Sequence, residues 1–312
     1  MKETSPGTPA STDYHVPVLA DEIGRWAAGA RRAVDATVGG GGHTALLVEA
    51  GAEVLAVDRD LEALAAARRR LADAPVRYIH ASFDAPEALS AIAAFRPDRI
   101  LLDLGVSSHQ LDDADRGFTF RPAAPLDMRM NASGVTAGDL LNTSAERDLA
   151  AMFSDLADEP RARALAREVV RRRSRTPFTT SDDLVNAIRA VLGPRSGPSD
   201  FARLFQAVRI AVNDELGALE RALPALRDAL APEGKIGVIG YHSGEDRVVK
   251  HAFREWGRSC VCPPRQPVCT CRGRPLGRVL TRRPVLPDAT EVAANPRARS
   301  ARFRTFQVSD GA

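Results

Sequence analysis

The sequence predicts an α/β fold built on a doubly wound parallel sheet. Three observations predict it. Strand-length apolar runs alternate with helix-period segments through four strands between residues 34 and 105, a pattern that calls for parallel strands with helices on both faces. The first run, Val34-Asp35-Ala36-Thr37-Val38, leads into Gly39-Gly40-Gly41-Gly42-His43-Thr44. Four glycines allow a tight turn and let a ligand approach the backbone at the start of a helix. The second run, Val54-Leu55-Ala56-Val57-Asp58, ends in a carboxylate, where such sheets grip ribose hydroxyls.

Residues 1–13 are rich in Ser, Thr, Pro and Gly and hold no apolar core, so they read as a disordered tail rather than a signal peptide or a strand. Tyr14-His15-Val16-Pro17-Val18-Leu19 leads into a helical pattern over 20–28, and a helix over 44–50 follows the glycine turn. Leu61, Leu64, Ala65 and Leu71 recur at helical spacing and predict an amphipathic helix over 61–73. Residues 76–80 form a third strand, followed by Phe83, Asp84 and a helix over 85–95. Residues 99–105 are a fourth strand, nearly all apolar, as a strand buried on both faces should be. Ligands of such sheets sit outside the carboxyl ends of the strands, which puts residues 39–43, Asp58, Phe83 and Asp103 on one rim.

The alternation stops after Asp103. Residues 105–130 carry Ser107-Ser108-His109-Gln110-Leu111-Asp112, Arg116-Gly117-Phe118 and Pro125-Leu126-Asp127-Met128-Arg129-Met130. A long irregular segment beside a rim of this kind is usually functional. From about 136 to 204 the pattern is helical and charged, with Arg167, Arg171, Arg172, Arg173 and Arg175 clustered. These arginines form a solvated face or touch nucleic acid. A long helical region runs from Phe205 to Leu230, a strand follows over 235–241, then a helix over 245–256 and an edge strand over 303–308. The sheet thus resumes after a helical insert. The expected division is a tail at 1–13, a discontinuous catalytic domain at 14–130 and 206–312, and an insert domain at 131–205.

Composition narrows the classes. The 312-residue chain is 44% apolar and 27% charged, as ordinary soluble globular proteins are. No apolar run approaches the ~20 residues that span a bilayer, so a cytoplasmic protein without membrane contact is expected. A net charge of +3 does not announce nucleic acid. Lysine occurs only at Lys2, Lys235 and Lys250, so all but three of the 43 basic residues are arginine. Arginine suits phosphate forks and base stacking, although a compositional bias toward Arg and Ala accounts for it equally well.

The rim also discriminates between cofactors. Gly39-x-Gly41-x-x-Thr44 lacks the third glycine of the dinucleotide fingerprint, and no Gly-Lys-Ser/Thr follows the turn. This weakens a nicotinamide reading and excludes a P-loop ATPase. Asp35, Asp58 and Asp103 around a glycine turn suit S-adenosylmethionine, which presents a ribose diol, an adenine and a zwitterionic amino acid. Cys260-Val261-Cys262 and Cys269-Thr270-Cys271 form a C-x-C pair of pairs with six residues between. Four thiolates that close suit zinc, yet the usual spacing is C-x₂₋₄-C, and disulfides do not suit a reducing cytoplasm. The expectation is reduced loop cysteines and no metal, with zinc as the alternative.

Several motifs form one series. They are His15-x-Pro17-Val18-Leu19, Asp35-x-Thr37-x-Gly39-x-Gly41-Gly42-His43, Asp58-Arg59-Asp60, residues 101–112 with Arg116-Gly117-Phe118 and residues 125–130, Phe205-Gln206-Ala207 with Arg209-Ile210, His242-Ser243 with Glu245-Asp246-Arg247, and Asn295-Pro296-Arg297-x-Arg299-Ser300. In this series the chain resembles the RsmH/MraW family, the small-subunit ribosomal RNA (cytosine-N4)-methyltransferases, from His15 to about Arg302. It departs at Ala202-Arg203-Leu204, where the family has Thr-Arg-Thr, and at residues 240–244, where Gly-Tyr-His-Ser-Gly replaces Ser-Phe-His-Ser-Leu.

The resemblance implies a Rossmann-like class I methyltransferase sheet with an inserted small helical domain. It implies S-adenosyl-L-methionine as cofactor and N4-methylation of a specific cytidine in the decoding region of 16S ribosomal RNA, in the small ribosomal subunit. It puts cofactor contacts at Gly41, Gly42, His43, Asp58, Phe83, Asp103 and Gln110. Asp103 and, behind it, Asp127 are the candidates to accept the N–H bonds of the target amine. Arg116, Arg121, Arg129, Arg247, Arg297 and Arg299 are candidates for RNA backbone contact. The target base has to be unpaired or flipped to reach the site. Two other readings stand beside this one. An NAD-dependent oxidoreductase would want the missing third glycine. An RNA-binding or assembly factor that keeps the fold without the activity would predict a degraded rim. Naked RNA or assembled subunit as substrate, and pairing as a homodimer, stay open.

Overall fold

The computed structural model of the protein describes residues 17–105, 116–131, 134–263 and 265–310. The expected tail at 1–13, His15 and Gln110 lie outside the described residues. Strands β1 (Arg32–Asp35), β2 (Glu53–Asp58), β3 (Val76–His80), β4 (Arg99–Asp103) and β5 (Lys235–Gly240) run parallel. Two further strands, β6 (Gly277–Val279) and β7 (Arg302–Val308), complete a seven-stranded sheet of order β3-β2-β1-β4-β5-β7-β6, with β7 antiparallel to both its neighbours. The order reverses between β1 and β4, and in sheets of this class ligands bind at the carboxyl ends of the strands beside such a reversal. This is the doubly wound α/β class read from the sequence.

Helices α1 (Ala20–Ala27), α2 (Gly42–Glu49), α3 (Leu61–Arg70) and α4 (Pro86–Phe95) accompany the first four strands. Between β4 and β5 come α5 (Ala137–Thr143), α6 (Glu146–Ala157), α7 (Ala162–Arg173), α8 (Ser181–Leu192), α9 (Pro198–Asn213) and α10 (Glu215–Ala229). After β5 follow α11 (Ser243–Trp256), α12 (Ala289–Ala294) and a 3₁₀ turn at Pro296–Ser300. Side chains alternate across β4, so each face of the sheet gets its own core. Ile100 and Leu102 pack with α4, α10 and α11, while Leu101 packs with α1 and α2. All three are fully buried.

A separate core joins α5 to α9 around Phe153, Leu165, Phe178, Leu184 and Leu204. Leu126 and Met128, from the irregular segment after β4, plug into it. Leu126 N–H donates to Thr179 O at 3.0 Å, and Gly138 N–H donates to Leu126 O at 2.8 Å. Residues 125–130 are therefore the seam between the rim and the helical body. The arginine cluster on α7 is largely satisfied within the fold. Arg171 and Arg172 bond Glu168, and Arg173 donates to Leu141 O at 2.7 Å.

Several boundaries differ from the sequence reading: the first strand, expected over 34–38, is Arg32–Asp35, and the fourth, expected over 99–105, ends at Asp103. The helix expected over 61–73 ends at Arg70. The helical region expected from Phe205 begins at Pro198 and breaks at Asp214, which takes a left-handed φ of 47°. Periodicity runs through the break because apolar positions continue in phase on both sides. β7 is an interior strand rather than the expected edge, since β6 pairs along its outer side. β6 has three residues, too few to show a period of two.

Candidate active site

The rim is built from the turn after β1. Asp35 is fully buried there. It accepts Thr44 Oγ1–H at 2.6 Å and Thr37 N–H at 3.2 Å, which ties the strand end to the first turn of α2. Gly41 has a φ of 78°, in the left-handed region, and a Cβ there would lie 3.2 Å from Ala67 in α3. A Cβ on Gly42 would sit 3.2 Å from the Pro17 ring. The turn is thus wedged between Pro17 and α3, and its shape is set before any ligand arrives.

Asp58 ends β2 beside this turn. Gly39 N–H donates to its Oδ2 at 2.8 Å and Asp60 N–H to its Oδ1 at 2.9 Å. Burial nevertheless pushes the Asp58 carboxyl up to about 6, against those two donors. Each carboxylate oxygen keeps a second lone pair for a ligand hydroxyl. Phe83, after β3, is half-buried and packs on the core under β4.

Asp103, at the end of β4, is the hub. His43 Nδ1 lies 3.3 Å from its Oδ2, and Gly105 N–H donates to its Oδ1 at 3.1 Å. The Tyr241 hydroxyl donates to the same carboxylate. The Asp103 backbone N–H donates to Thr37 Oγ1 at 2.6 Å. Burial alone would raise the Asp103 carboxyl, but the hydrogen bond and charge of His43, with the Gly105 and Tyr241 donors, hold it below the ordinary range. His43 Nε2 lies 2.8 Å from Val18 O. The Val18 carbonyl only accepts, so Nε2 donates to it, and the Asp103 carboxylate beside Nδ1 favours a proton there too. Burial opposes the resulting charge, and Asp103 overcomes it and raises the His43 pKa. Burial and the Asp103 charge together push the Tyr241 hydroxyl well above its usual range. A Cβ at Gly105 would lie 2.9 Å from the Tyr241 ring, so only glycine fits there.

A second polar group on the rim, after β5, was not singled out as a site from the sequence. His242 caps α11, its Nδ1 accepting Gly244 N–H at 3.2 Å and Glu245 N–H at 3.4 Å. The ring proton therefore sits on Nε2. That atom is buried and makes no hydrogen bond among the described residues, although Glu245 Oε1 is 3.2 Å away. The Glu245 carboxylate accepts Tyr241 N–H at 2.7 Å and His242 N–H at 3.2 Å. Glu215, His242 and Glu245 bring their polar atoms within 4.8 Å of one another. Arg209 grips Glu215 through two bonds of 2.9 Å. Asn213 clasps the seam, donating to Met128 O and accepting Met130 N–H, both at 2.8 Å. The motif letters were visible in the sequence. Their grouping was not, because it depends on the break at Asp214 and on a cap.

The family departures fall into place locally. Leu204 is in the helical core, Ala202 is exposed, and Arg203 bonds Glu159 at 2.6 Å. A Cβ at Gly244 would lie 3.0 Å from His242 Nδ1, so glycine lets the capping ring sit tight against the turn.

The candidate arginines divide into two sets. Arg116 bonds Asp60 at 3.3 Å, Glu62 at 3.4 Å and the carbonyl of Met130 at 3.2 Å. Arg129 holds Asp127 through bonds of 2.7 and 2.9 Å. That hydrogen bonding keeps the Asp127 carboxyl below its usual range. These three residues are engaged inside the seam. Arg121, Arg247, Arg297 and Arg299 are exposed.

The sequence pattern of the MraW methylase family matches residues 12–309. Three relatives bear the name ribosomal RNA small subunit methyltransferase H. That of Gemmatimonas aurantiaca is 61% identical over 299 residues, covering 94% of this chain and 95% of that protein. That of Heliobacterium modesticaldum is 45% identical over 307 residues, covering 94% and 98%. That of Rubrobacter xylanophilus is 46% identical over 310 residues, covering 96% and 97%. The chain belongs to the MraW methylase family.

Proposed function

We propose that this protein methylates the N4 amine of a specific cytidine in the decoding region of 16S ribosomal RNA, within the small subunit, using S-adenosylmethionine. The observation that carries the reading is the Asp103 hub at the switch point of the sheet, beside a preformed glycine turn and the Asp58 carboxylate. The residues fit the cofactor: side chains at Gly41 and Gly42 would crowd Ala67 and Pro17 at 3.2 Å, and Asp58 keeps free lone pairs. When bound, the cofactor supplies a methyl group activated by a sulfonium.

The roles follow from the surroundings of each residue. Gly41 and Gly42 line the cradle for the amino-acid part, Asp58 accepts the ribose hydroxyls, and Phe83 offers adenine an apolar face. Gln110 stays in the cofactor set by resemblance. His43 acts through Asp103, since both its ring nitrogens are taken by the protein. Asp103 accepts N–H bonds of the cofactor ammonium or of the target amine. Held below the usual range, it is a weak base, which suits a proton that leaves only once the methylated nitrogen is cationic. Most of the rate then comes from positioning. Asp127 is held by Arg129 and ranks behind Asp103. Arg247, Arg297 and Arg299 are the RNA candidates, and Arg116 and Arg129 shape the seam through which a flipped base enters.

In this reading residues 14–130 and 206–312 form the catalytic domain and 131–205 the insert, with α9 crossing the join. No helix among the described residues is long and apolar enough to cross a membrane, and a cytoplasmic setting fits a ribosomal substrate. The test is transfer of labelled methyl to small subunits from cells lacking the activity. Label on subunits, absent with Asp58→Ala, supports the reading. Cofactor binding without any label on subunits or free RNA favours the assembly-factor alternative.

A further inference from the structure

We propose that Cys260, Cys262, Cys269 and Cys271 hold one structural zinc ion at the end of the sheet opposite the catalytic rim. The four sulfurs lie within 4.8 Å of one another. Cys269 Sγ is 3.8 Å from Cys260 Sγ, 3.9 Å from Cys262 Sγ and 3.5 Å from Cys271 Sγ. A tetrahedral zinc with bonds of about 2.3 Å needs sulfurs about 3.8 Å apart. A disulfide needs them about 2.0 Å apart, and all four cysteines are free. The C-x-C spacing, tighter than usual, therefore does not prevent the four sulfurs from converging. The chain reverses between the pairs, with Gln266 N–H donating to Pro263 O at 3.2 Å and its side chain to Thr270 Oγ1 at 2.7 Å.

The sulfurs are prepared for a cation. Val261 N–H donates to Cys271 Sγ at 3.3 Å, and Gly273, at a φ of 66°, donates as well. A metal ion takes such sulfurs as thiolates, and the backbone donors at Cys271 suit that form.

The surroundings call for a staple. Residues 258–263 and 265–275 bury no side chain, and Val261 and Val268 are 37% and 70% exposed. Small segments without a core are commonly held by metal. Here the ends are pinned: Leu276 N–H donates to Trp256 O at 2.8 Å, and Arg272 pairs with Glu255 at 2.7 Å. β6 starts directly after, with Gly277 opposite Val308, next to Gln307, which pairs with Lys235 at the start of β5. The loop thus lies at the amino end of the parallel strands, away from Asp58 and Asp103. Four thiolates leave no open position for water, so the ion orders the loop and takes no part in chemistry.

The test uses the full-length, untagged protein from zinc-supplemented cells. Elemental mass spectrometry should find one zinc per chain, and a mercurial thiol reagent should release it as the four thiols react. A Cys262→Ser/Cys269→Ser variant should lose the zinc. Zinc removal should lower the unfolding temperature and leave S-adenosylmethionine binding intact. Four freely reactive thiols without zinc, iron in its place, or undiminished zinc in the variant would overturn the proposal. The wild-type zinc and thiol measurement decides the matter even if the variant fails to fold.

Discussion

Asp58 is a carboxylate whose burial outweighs two backbone donors, leaving its pKa at about 6 in the free protein. In its proposed role Asp58 accepts ribose hydroxyls best in the ionised form, so binding favours loss of that proton. S-adenosylmethionine affinity should be flat above neutrality and fall about tenfold per pH unit below 6. Calorimetric titration across this range checks it, and Asp58→Asn should remove the inflection along with most of the affinity. The His43–Asp103 pair has two opposite limits. His43 is raised above 6.5, so its contribution to stability is complete below 6.5 and lost as pH rises through the folded value. Asp103 is depressed below 3.8, so its contribution is present above 3.8 and lost as pH falls through the folded value. The difference in unfolding temperature between wild type and His43→Gln should therefore be largest between those limits and shrink as the solution turns alkaline. Tyr241→Phe removes one donor from Asp103, so the acid limb of the pH–rate profile should move up while turnover at neutral pH changes little. The sequence displayed Asp58 and Asp103 because strand ends in this fold are fixed by the apolar runs before them. It displayed His43 and Tyr241 without their roles, because their bonds to Asp103 join separate strand ends.

The glycine turn into α2 behaves as one piece. Gly41→Ala forces a side chain into the left-handed region and against Ala67, which should cost about 1–2 kcal/mol of stability. Cofactor binding should weaken more than stability does, and paired denaturation and binding measurements separate the two. The seam is a second piece. Asn213→Ala strips partners from Met128 O and Met130 N–H, a loss of about 1–3 kcal/mol for buried groups. Chemical denaturation reads that loss, and the KM for small subunits should rise while cofactor affinity holds. Strands β1, β2, β4 and β5 were legible because each has an apolar run, and β3, which carries Arg77 and His80, because it falls in the alternation of strand and helix. β6 escaped because it is three residues long. The break between α9 and α10 escaped because Asp214 turns left-handed without a glycine or proline to mark it.

At the scale of the molecule, one sheet carries the rim and one helical body joins it through the seam. The alternation of strand and helix implied a switch point, and the switch point implied the rim. That much of the site follows from the order of apolar runs. The seam does not, since Asn213 reaches back 85 residues to Met128 and Arg59 lies 154 residues from the Asn213 carbonyl it meets. Contacts at such separations have no local period to betray them. In the proposed reading the rim and seam form a cradle with Asp103 as the acceptor at its centre, which is what methyl transfer to a weakly nucleophilic amine requires. The most direct measurement is nucleoside analysis of small subunits after incubation with the protein and methyl-labelled S-adenosylmethionine, for wild type and Asp103→Asn. Label should run as N4-methylcytidine and form at least about a hundredfold more slowly with Asp103→Asn. Label on another atom of the RNA, or an undiminished rate in the variant, would contradict the role given to Asp103 at the switch point.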